Sequence, residues 1–101
     1  MATTGEIWLA DVGAETRRPV IVVSEDRFHR LSERCIVAPV LASGHDERNP
    51  PWWIAHDDSV VAVDRLSSIP IERLLEHHGT ARYVTVRAVQ RTIGWLTGTD
   101  S

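Results

Sequence analysis

Two short apolar runs dominate the pattern of hydrophobic and polar positions along the chain. They are residues 20–23 (VIVV) and the apolar part of residues 34–42 (RCIVAPVLA). A run without polar alternation is typical of a strand buried on both faces, although periodicity alone does not distinguish it from a buried helical segment. The β-branched residues favour strands, and Pro39 predicts an edge or a bulge in the second one.

The remaining pattern alternates with a strand period or repeats with a helix period. Strands are predicted at residues 5–10, 52–56, 59–66 and 76–81, with the second and third joined at Asp57-Asp58 as a hairpin. A long helix is predicted at 82–96, where Val86, Val89, Ile93 and Leu96 share one face. Short helices are predicted at 24–32, capped by Ser24, and at 69–74, with Pro70 in the first turn.

This order of elements predicts an α+β fold, a small curled antiparallel sheet covered by helices. The chain has 101 residues, which is room for one domain over residues 1–101 with a modest core that dimerisation would support. No apolar stretch approaches the roughly 20 residues that span a bilayer, and residues 1–7 lack the features of a signal peptide. We therefore expect a cytoplasmic protein without membrane segments.

Charge and cysteine content narrow the possible functions. The net charge of −3 argues against a protein that coats nucleic acid through bulk electrostatics. All eleven basic residues are arginine, the side chain suited to bidentate contacts with carboxylate or phosphate. The single cysteine, Cys35, lies in an apolar run and is predicted to be a small buried hydrophobe.

The segment Arg17-Arg18-Pro19 leads into the first apolar run. Pro19 fits the start of a strand and biases Arg18 towards extended geometry. An arginine there keeps its charge and presents a planar fork of donors. This combination indicates anion recognition more than packing.

Five segments of the chain carry a family resemblance: residues 5–11 (GEIWLAD), 18–24 (RPVIVVS), 36–40 (IVAPV), 58–64 (DSVVAVD) and 69–74 (IPIERL). By their order and spacing the chain resembles the MazF/PemK toxins of bacterial toxin-antitoxin pairs. The resemblance implies a small SH3-like β-barrel of the CcdB/MazF type with a C-terminal helix, assembled as a homodimer. It also implies metal-independent cleavage of single-stranded RNA (mRNA) by attack of a 2′-hydroxyl, without a cofactor, and inhibition by an antitoxin peptide in the dimer groove.

The resemblance also implies catalytic residues. Arg18 corresponds to the family's catalytic arginine, whose permanent charge suits stabilisation of a phosphorane, and Asp64 corresponds to the general base of the PemK branch. Asp64 has the alternative of a strand-end carboxylate paired with Arg65 or Arg18. Family members commonly have a threonine where this chain has Leu41, so Ser43, two residues further along the strand, is a candidate substitute or an ordinary turn serine.

Further residues are candidates for RNA contact, or alternatively for solvated surface positions. They are Arg17, Glu15, His45, Arg48, Trp52 and Arg65. Trp52 and Trp53 point to opposite faces if their segment is a strand, so one packs inside and the other offers a surface for an unpaired base or a protein partner. His77-His78 lacks the spacing of a metal site, and no metal is predicted.

Two other functions fit the same barrel. One is a CcdB-like toxin that binds gyrase without nuclease activity, for which Trp95 near the C-terminus would supply an aromatic end. The other is a catalytically weakened barrel that only binds its antitoxin, an alternative raised by Leu41.

Overall fold

The computed structural model describes residues 2–42 and 48–98, which form seven strands and two helices. The strands are β1 (Glu6–Asp11), β2 (Arg17–Val22), β3 (Arg34–Leu41), β4 (Trp53–His56), β5 (Ser59–Ala62), β6 (Ser67–Pro70) and β7 (Leu74–Thr80). The helices are α1 (Asp26–Ser32) and α2 (Tyr83–Thr97), and two 3-10 turns cover Val63–Arg65 and Ile71–Arg73.

All strand pairs are antiparallel, in the order β4-β5-β3-β2-β1-β7, with β6 also paired to β3. Strand β3 pairs with β6 as far as Val37 and with β5 from Val40. Pro39 thus lies where β3 changes partner, a position where a missing N–H is tolerated. The predicted α+β fold is confirmed, and within the described residues the barrel remains open between β4 and β7.

The central strands β2 and β3 are buried on both faces, as their apolar runs predict. Val20 and Val22 pack in one apolar cluster with Cys35 and Val37. Ile21 packs on the opposite side of the sheet in a second cluster, which α2 covers through Val89. Because both faces of these strands are occupied by core, they form the rigid part of the molecule from which Arg18 projects.

Helix α2 confirms the predicted long helix, with one correction. Val86, Val89 and Ile93 contact the second cluster, whereas Leu96 is 39% exposed, so the buried stripe ends one turn earlier than predicted. Neither helix within residues 2–42 and 48–98 is long and apolar enough to cross a membrane.

The predicted helix at 69–74 is wrong. Residues 67–70 form strand β6, paired with β3, and only the 3-10 turn Ile71–Arg73 follows. Arg34 fixes β6 because its Nε donates to Ser68 Oγ (2.9 Å) and its Nη2 donates to the Ser68 carbonyl (2.8 Å). Pairing with a distant strand has overridden the local helix signal, as tertiary context commonly does.

Two smaller expectations are also corrected. The strand predicted at 59–66 ends at Ala62, because the buried Val63 turns the chain into a 3-10 turn. Ser24 does not cap α1, whose N-cap is Glu25. Ser24 Oγ instead lies 2.6 Å from His29 Nε2 and accepts a hydrogen bond from the Ile36 N–H at 2.8 Å.

The connection between β1 and β2 is a tight turn with unfavourable residues. Thr16 N–H donates to the Gly13 carbonyl at 2.9 Å, and the two central residues, Ala14 and Glu15, have φ values of 51° and 59°. Positive φ at both central positions is the signature of a type I′ turn, which favours Asn-Gly. The turn is therefore strained by side chains that prefer other conformations.

Replacing both residues (Ala14→Asn with Glu15→Gly) is expected to stabilise the fold by about 1 kcal/mol, because it removes the cost of left-handed backbone. Urea unfolding followed by circular dichroism measures the change. The control Ala14→Val should destabilise, since a β-branched residue tolerates positive φ poorly. An unchanged unfolding midpoint in the double variant would show that the turn carries no such strain.

Candidate functional site

Arg18 lies in a shallow depression of about 370 Å³ at one end of the sheet. The depression is bounded by the β1–β2 connection, by β2 and β3, and by the segment that enters β6. Its lining residues are Val12, Gly13, Thr16, Arg18, Val20, Val37, Pro39, Arg65 and Ser67. Val20, Val37 and Pro39 give it an apolar floor, so the polar and charged groups stand at the rim.

Two arginines meet at this depression from distant parts of the chain. Arg18 comes from the second strand, and Arg65 ends the 3-10 turn after β5. Thr16 and Ser67 add hydroxyl groups, while no carboxylate of the described residues belongs to the lining. Two permanent cations beside an apolar surface favour a phosphate or carboxylate ligand.

Asp64 is exposed and lies outside the lining of the depression, next to Arg65. Its Oδ1 accepts a hydrogen bond from Trp53 Nε1 at 2.8 Å. The ion pair with Arg65 or Arg18 considered from the sequence is absent among the described contacts, and an indole N–H takes its place. The structure thus brings Asp64 to the edge of the site, bound to a residue that the sequence analysis did not select.

Trp53 is this additional residue. The Arg65 guanidinium carbon lies 5.1 Å from the centre of the Trp53 ring, which is within the range of a cation–π interaction. Strand alternation predicted that the indoles of Trp52 and Trp53 would lie on opposite faces. The sequence did not indicate which of them faces the arginines.

Trp52 points to a different part of the molecule. Its ring stacks against that of Trp95, with ring centres 6.4 Å apart and planes inclined by 24°. These two indoles line a separate cleft of about 340 Å³ together with Pro51, Arg91 and Thr92. Trp52 therefore does not line the depression with Arg18, and its selection as an RNA contact stays a prediction.

Leu41 is the last residue of β3 and lies outside the lining of the depression. The β2–β3 ladder ends at the pair of Val20 with Pro39, and Leu41 pairs with Val60 of β5 instead. Alternation along β3 puts Leu41 on the same face as Pro39. The position at which the family commonly has threonine is thus occupied by an apolar side chain on the face of β3 that Val37 and Pro39 present to the depression.

The other residues predicted to contact RNA or to take part in catalysis do not line the depression of Arg18, or they lie outside the described residues. Arg17 is exposed and points to the other face of β2 from Arg18 by strand alternation. Glu15 is at the exposed tip of the β1–β2 turn, and Arg48 is exposed ahead of β4. Ser43 and His45 lie outside the described residues, so their predicted roles stay predictions.

Other candidate chemistry does not converge on this site. Burial raises the pKa of the Cys35 thiol to about 11, against a smaller opposing effect of Arg34, so the thiol stays protonated at neutral pH and packs as predicted. His77 and His78 approach different carboxylates, Glu6 and Glu76. Within the described ranges, no group of three or more histidine, cysteine, aspartate or glutamate side chains is arranged to hold a metal ion.

Comparison with known proteins agrees with this architecture. Residues 3–97 match the family model described as PemK-like, MazF-like toxin of type II toxin-antitoxin system. No curated protein matches the chain significantly.

Solved structures share the fold at low sequence identity. A mycobacterial endoribonuclease in complex with its cognate antitoxin is similar over 100% of this chain and 99% of its own, with a TM-score of 0.87 and 16% identity. A MazE-MazF complex from Deinococcus radiodurans gives 0.80 and 22%, covering 98% of this chain and 97% of the other. The Mycobacterium tuberculosis toxin MazF-mt6 gives 0.75 and 20%, covering 95% and 99%.

Proposed function

The chain belongs to the PemK-like, MazF-like toxins of type II toxin-antitoxin systems, and we propose that it is an endoribonuclease that cleaves single-stranded RNA without a metal ion. The observation that carries the proposal is the pair of arginines, Arg18 and Arg65, at one depression with an apolar floor. The neighbour with a TM-score of 0.87 is described as an endoribonuclease, which supports the same chemistry for this fold.

The reaction divides into charge stabilisation and two proton transfers. The 2′-oxygen loses its proton to a base and forms a bond to the adjacent phosphorus, and the bond from phosphorus to the 5′-oxygen breaks as that oxygen gains a proton. Arg18 donates hydrogen bonds to the phosphorane oxygens and offsets their growing charge. The products are a 2′,3′-cyclic phosphate and a 5′-hydroxyl.

Asp64 is the proposed general base. Its Oδ1 accepts from the Trp53 indole, and Oδ2 is the atom that would take the proton from the 2′-hydroxyl. The carboxylate lies at the edge of the depression rather than inside it, so the ribose would have to extend towards the Val63–Arg65 turn. Arg65 would then contact the same phosphate or the next one along the strand.

We also propose the partners that the family membership suggests. The two complexes compared above are described as an endoribonuclease with its cognate antitoxin and as MazE-MazF. By analogy, this chain would bind an antitoxin peptide as a homodimer. An antitoxin that covers Arg18 would prevent RNA from reaching it.

The expected result of incubating the purified protein with a mixed-sequence single-stranded RNA in EDTA is cleavage with 5′-hydroxyl ends. The permanent charge of Arg18 supplies the electrostatic stabilisation that a metal would otherwise give, so chelation should leave the rate unchanged. Product ends are assigned by labelling with polynucleotide kinase with and without prior phosphatase treatment.

Other results would contradict the proposal. Intact RNA together with inhibition of gyrase supercoiling would identify a CcdB-like toxin. Intact RNA together with tight antitoxin binding would identify a barrel that has lost catalysis. Cleavage that EDTA abolishes and added Mg²⁺ restores would exclude the metal-independent mechanism.

A further inference from the structure

We propose that Trp53 is a positioning residue that holds Arg65 at the depression of Arg18, so that the RNA backbone meets a second, prearranged cation beside Arg18. The inference rests on the proposed ribonuclease function and deepens it, because it assigns how the second phosphate contact is formed. It concerns a residue that the sequence analysis left undecided.

The sheet register explains why these residues meet. Trp53 pairs with Ala62, the last residue of β5, and the 3-10 turn Val63–Arg65 follows directly. Val63 is fully buried in the second apolar cluster, so the turn is anchored from below. The two residues after it are thereby carried over the indole of the neighbouring strand.

Both of these residues are then fixed by the same side chain. The Trp53 indole N–H donates to Asp64 Oδ1 at 2.8 Å, and the Arg65 guanidinium lies 5.1 Å from the ring centre. Because the donor atom and the ring face of one rigid side chain are both used, the turn is held at two points. The exposed Arg65 would otherwise sample many rotamers in solvent.

The consequence for RNA is a lower entropic cost of binding. A phosphate contact by a free arginine must order the side chain at the moment of binding, whereas a prearranged arginine has little rotamer freedom left to lose. This contact forms in the ground state as well as in the transition state. Loss of the Arg65 contact should therefore raise KM, whereas loss of the indole N–H, which anchors the proposed general base Asp64, should lower kcat.

A series of variants separates the two contacts of the indole. Trp53→Leu removes the ring and the N–H and is expected to raise KM about tenfold, the size of a cation–π interaction with its ordering effect. Trp53→Phe keeps a ring for Arg65 and should retain most of the wild-type KM. Affinity for a 2′-O-methyl RNA, which cannot be cleaved, measured by fluorescence anisotropy, should follow the same order.

A double-mutant cycle tests whether Trp53 acts through Arg65. In the Arg65→Ala background, Trp53→Leu should have no further effect on KM, because the group that it positions has been removed. The matched control is Tyr83→Leu, because it removes another arginine–aromatic contact. The Arg87 guanidinium carbon lies 6.0 Å from the centre of the Tyr83 ring, and Tyr83 is 77% exposed on α2. Tyr83→Leu should leave KM unchanged.

The outcomes distinguish this inference from the proposed function. Wild-type protein that leaves RNA intact would overturn both. Wild-type cleavage with an unchanged KM in Trp53→Leu would overturn the inference alone, as would a full-size effect of Trp53→Leu in the Arg65→Ala background. If Trp53→Leu does not fold by circular dichroism, Trp53→Met, which also lacks the ring, takes its place, and an unchanged KM in that variant overturns the inference.

Discussion

Arg18→Ala is expected to lower kcat for RNA cleavage by about a thousandfold, the effect of removing one charged donor from a developing oxyanion. The side chain is exposed at the rim of the depression and lies outside both apolar clusters, so the variant should unfold at the wild-type urea concentration. Single-turnover cleavage of a labelled oligonucleotide measures the chemical step separately from product release.

Two control variants test the chemistry assigned to Arg18. Arg18→Lys keeps the charge but loses the planar fork and should recover only part of the rate. Arg17→Ala removes the neighbouring cation on the other face of the strand, and should weaken RNA binding and its salt dependence while kcat is retained. A folded Arg18→Ala protein that cleaves at the wild-type rate would exclude Arg18 from catalysis.

The burial of β2 and β3 was predictable because their apolar residues are consecutive in the sequence. The apolar run at 20–23 contains no polar residue that would face solvent. The structure accordingly places Val20 and Ile21 in separate apolar clusters on opposite faces of the sheet. The extended geometry of Arg18 was also predictable from adjacent residues, because Pro19 sterically restricts the residue before it. Local rules sufficed for the strand that presents the first arginine.

The second half of the site depends on contacts between distant residues. The helix predicted around Pro70 was wrong because Arg34 and β3 capture that segment as a strand. Asp64 follows β5 in a 3-10 turn because Val63 is drawn into the core. The sequence could not show that Trp53, and not Trp52, contacts Arg65. That contact depends on the Val63–Arg65 turn lying over Trp53, and tertiary packing sets the position of this turn.

The position of Leu41 combines both kinds of information. The sequence identified it as the departure from the family's usual threonine, and the structure places it at the end of β3, two residues beyond Pro39 of the depression and paired with Val60. An apolar side chain there cannot hydrogen-bond a phosphate oxygen. Binding of the phosphates in this chain would therefore depend more heavily on the two arginines, which makes the positioning of Arg65 by Trp53 more consequential.

His29→Ala is expected to destabilise the fold by about 3 kcal/mol, the largest effect on stability that we predict for a residue outside the proposed site. The side chain is 1% exposed, and its Nδ1 lies 3.0 Å from the Ala2 carbonyl. A carbonyl only accepts, so Nδ1 donates to it, and in the tautomer protonated at Nδ1 the Ser24 hydroxyl donates to Nε2 at 2.6 Å. Urea unfolding at neutral pH measures the loss.

Three further variants identify the source of that loss. His29→Leu keeps most of the buried volume and removes only the hydrogen bonds, so it should fall between wild type and His29→Ala. Ser24→Ala should cost about 1–3 kcal/mol, because it leaves His29 Nε2 and the Ile36 N–H without their partner. His78→Ala, on the exposed strand β7, should cost less than about 0.5 kcal/mol. Equal urea midpoints for His29→Ala and His78→Ala would contradict the prediction. They would show that the contacts of His29 with Ala2 and Ser24 do not stabilise the packing of α1 and the N-terminal segment against β3.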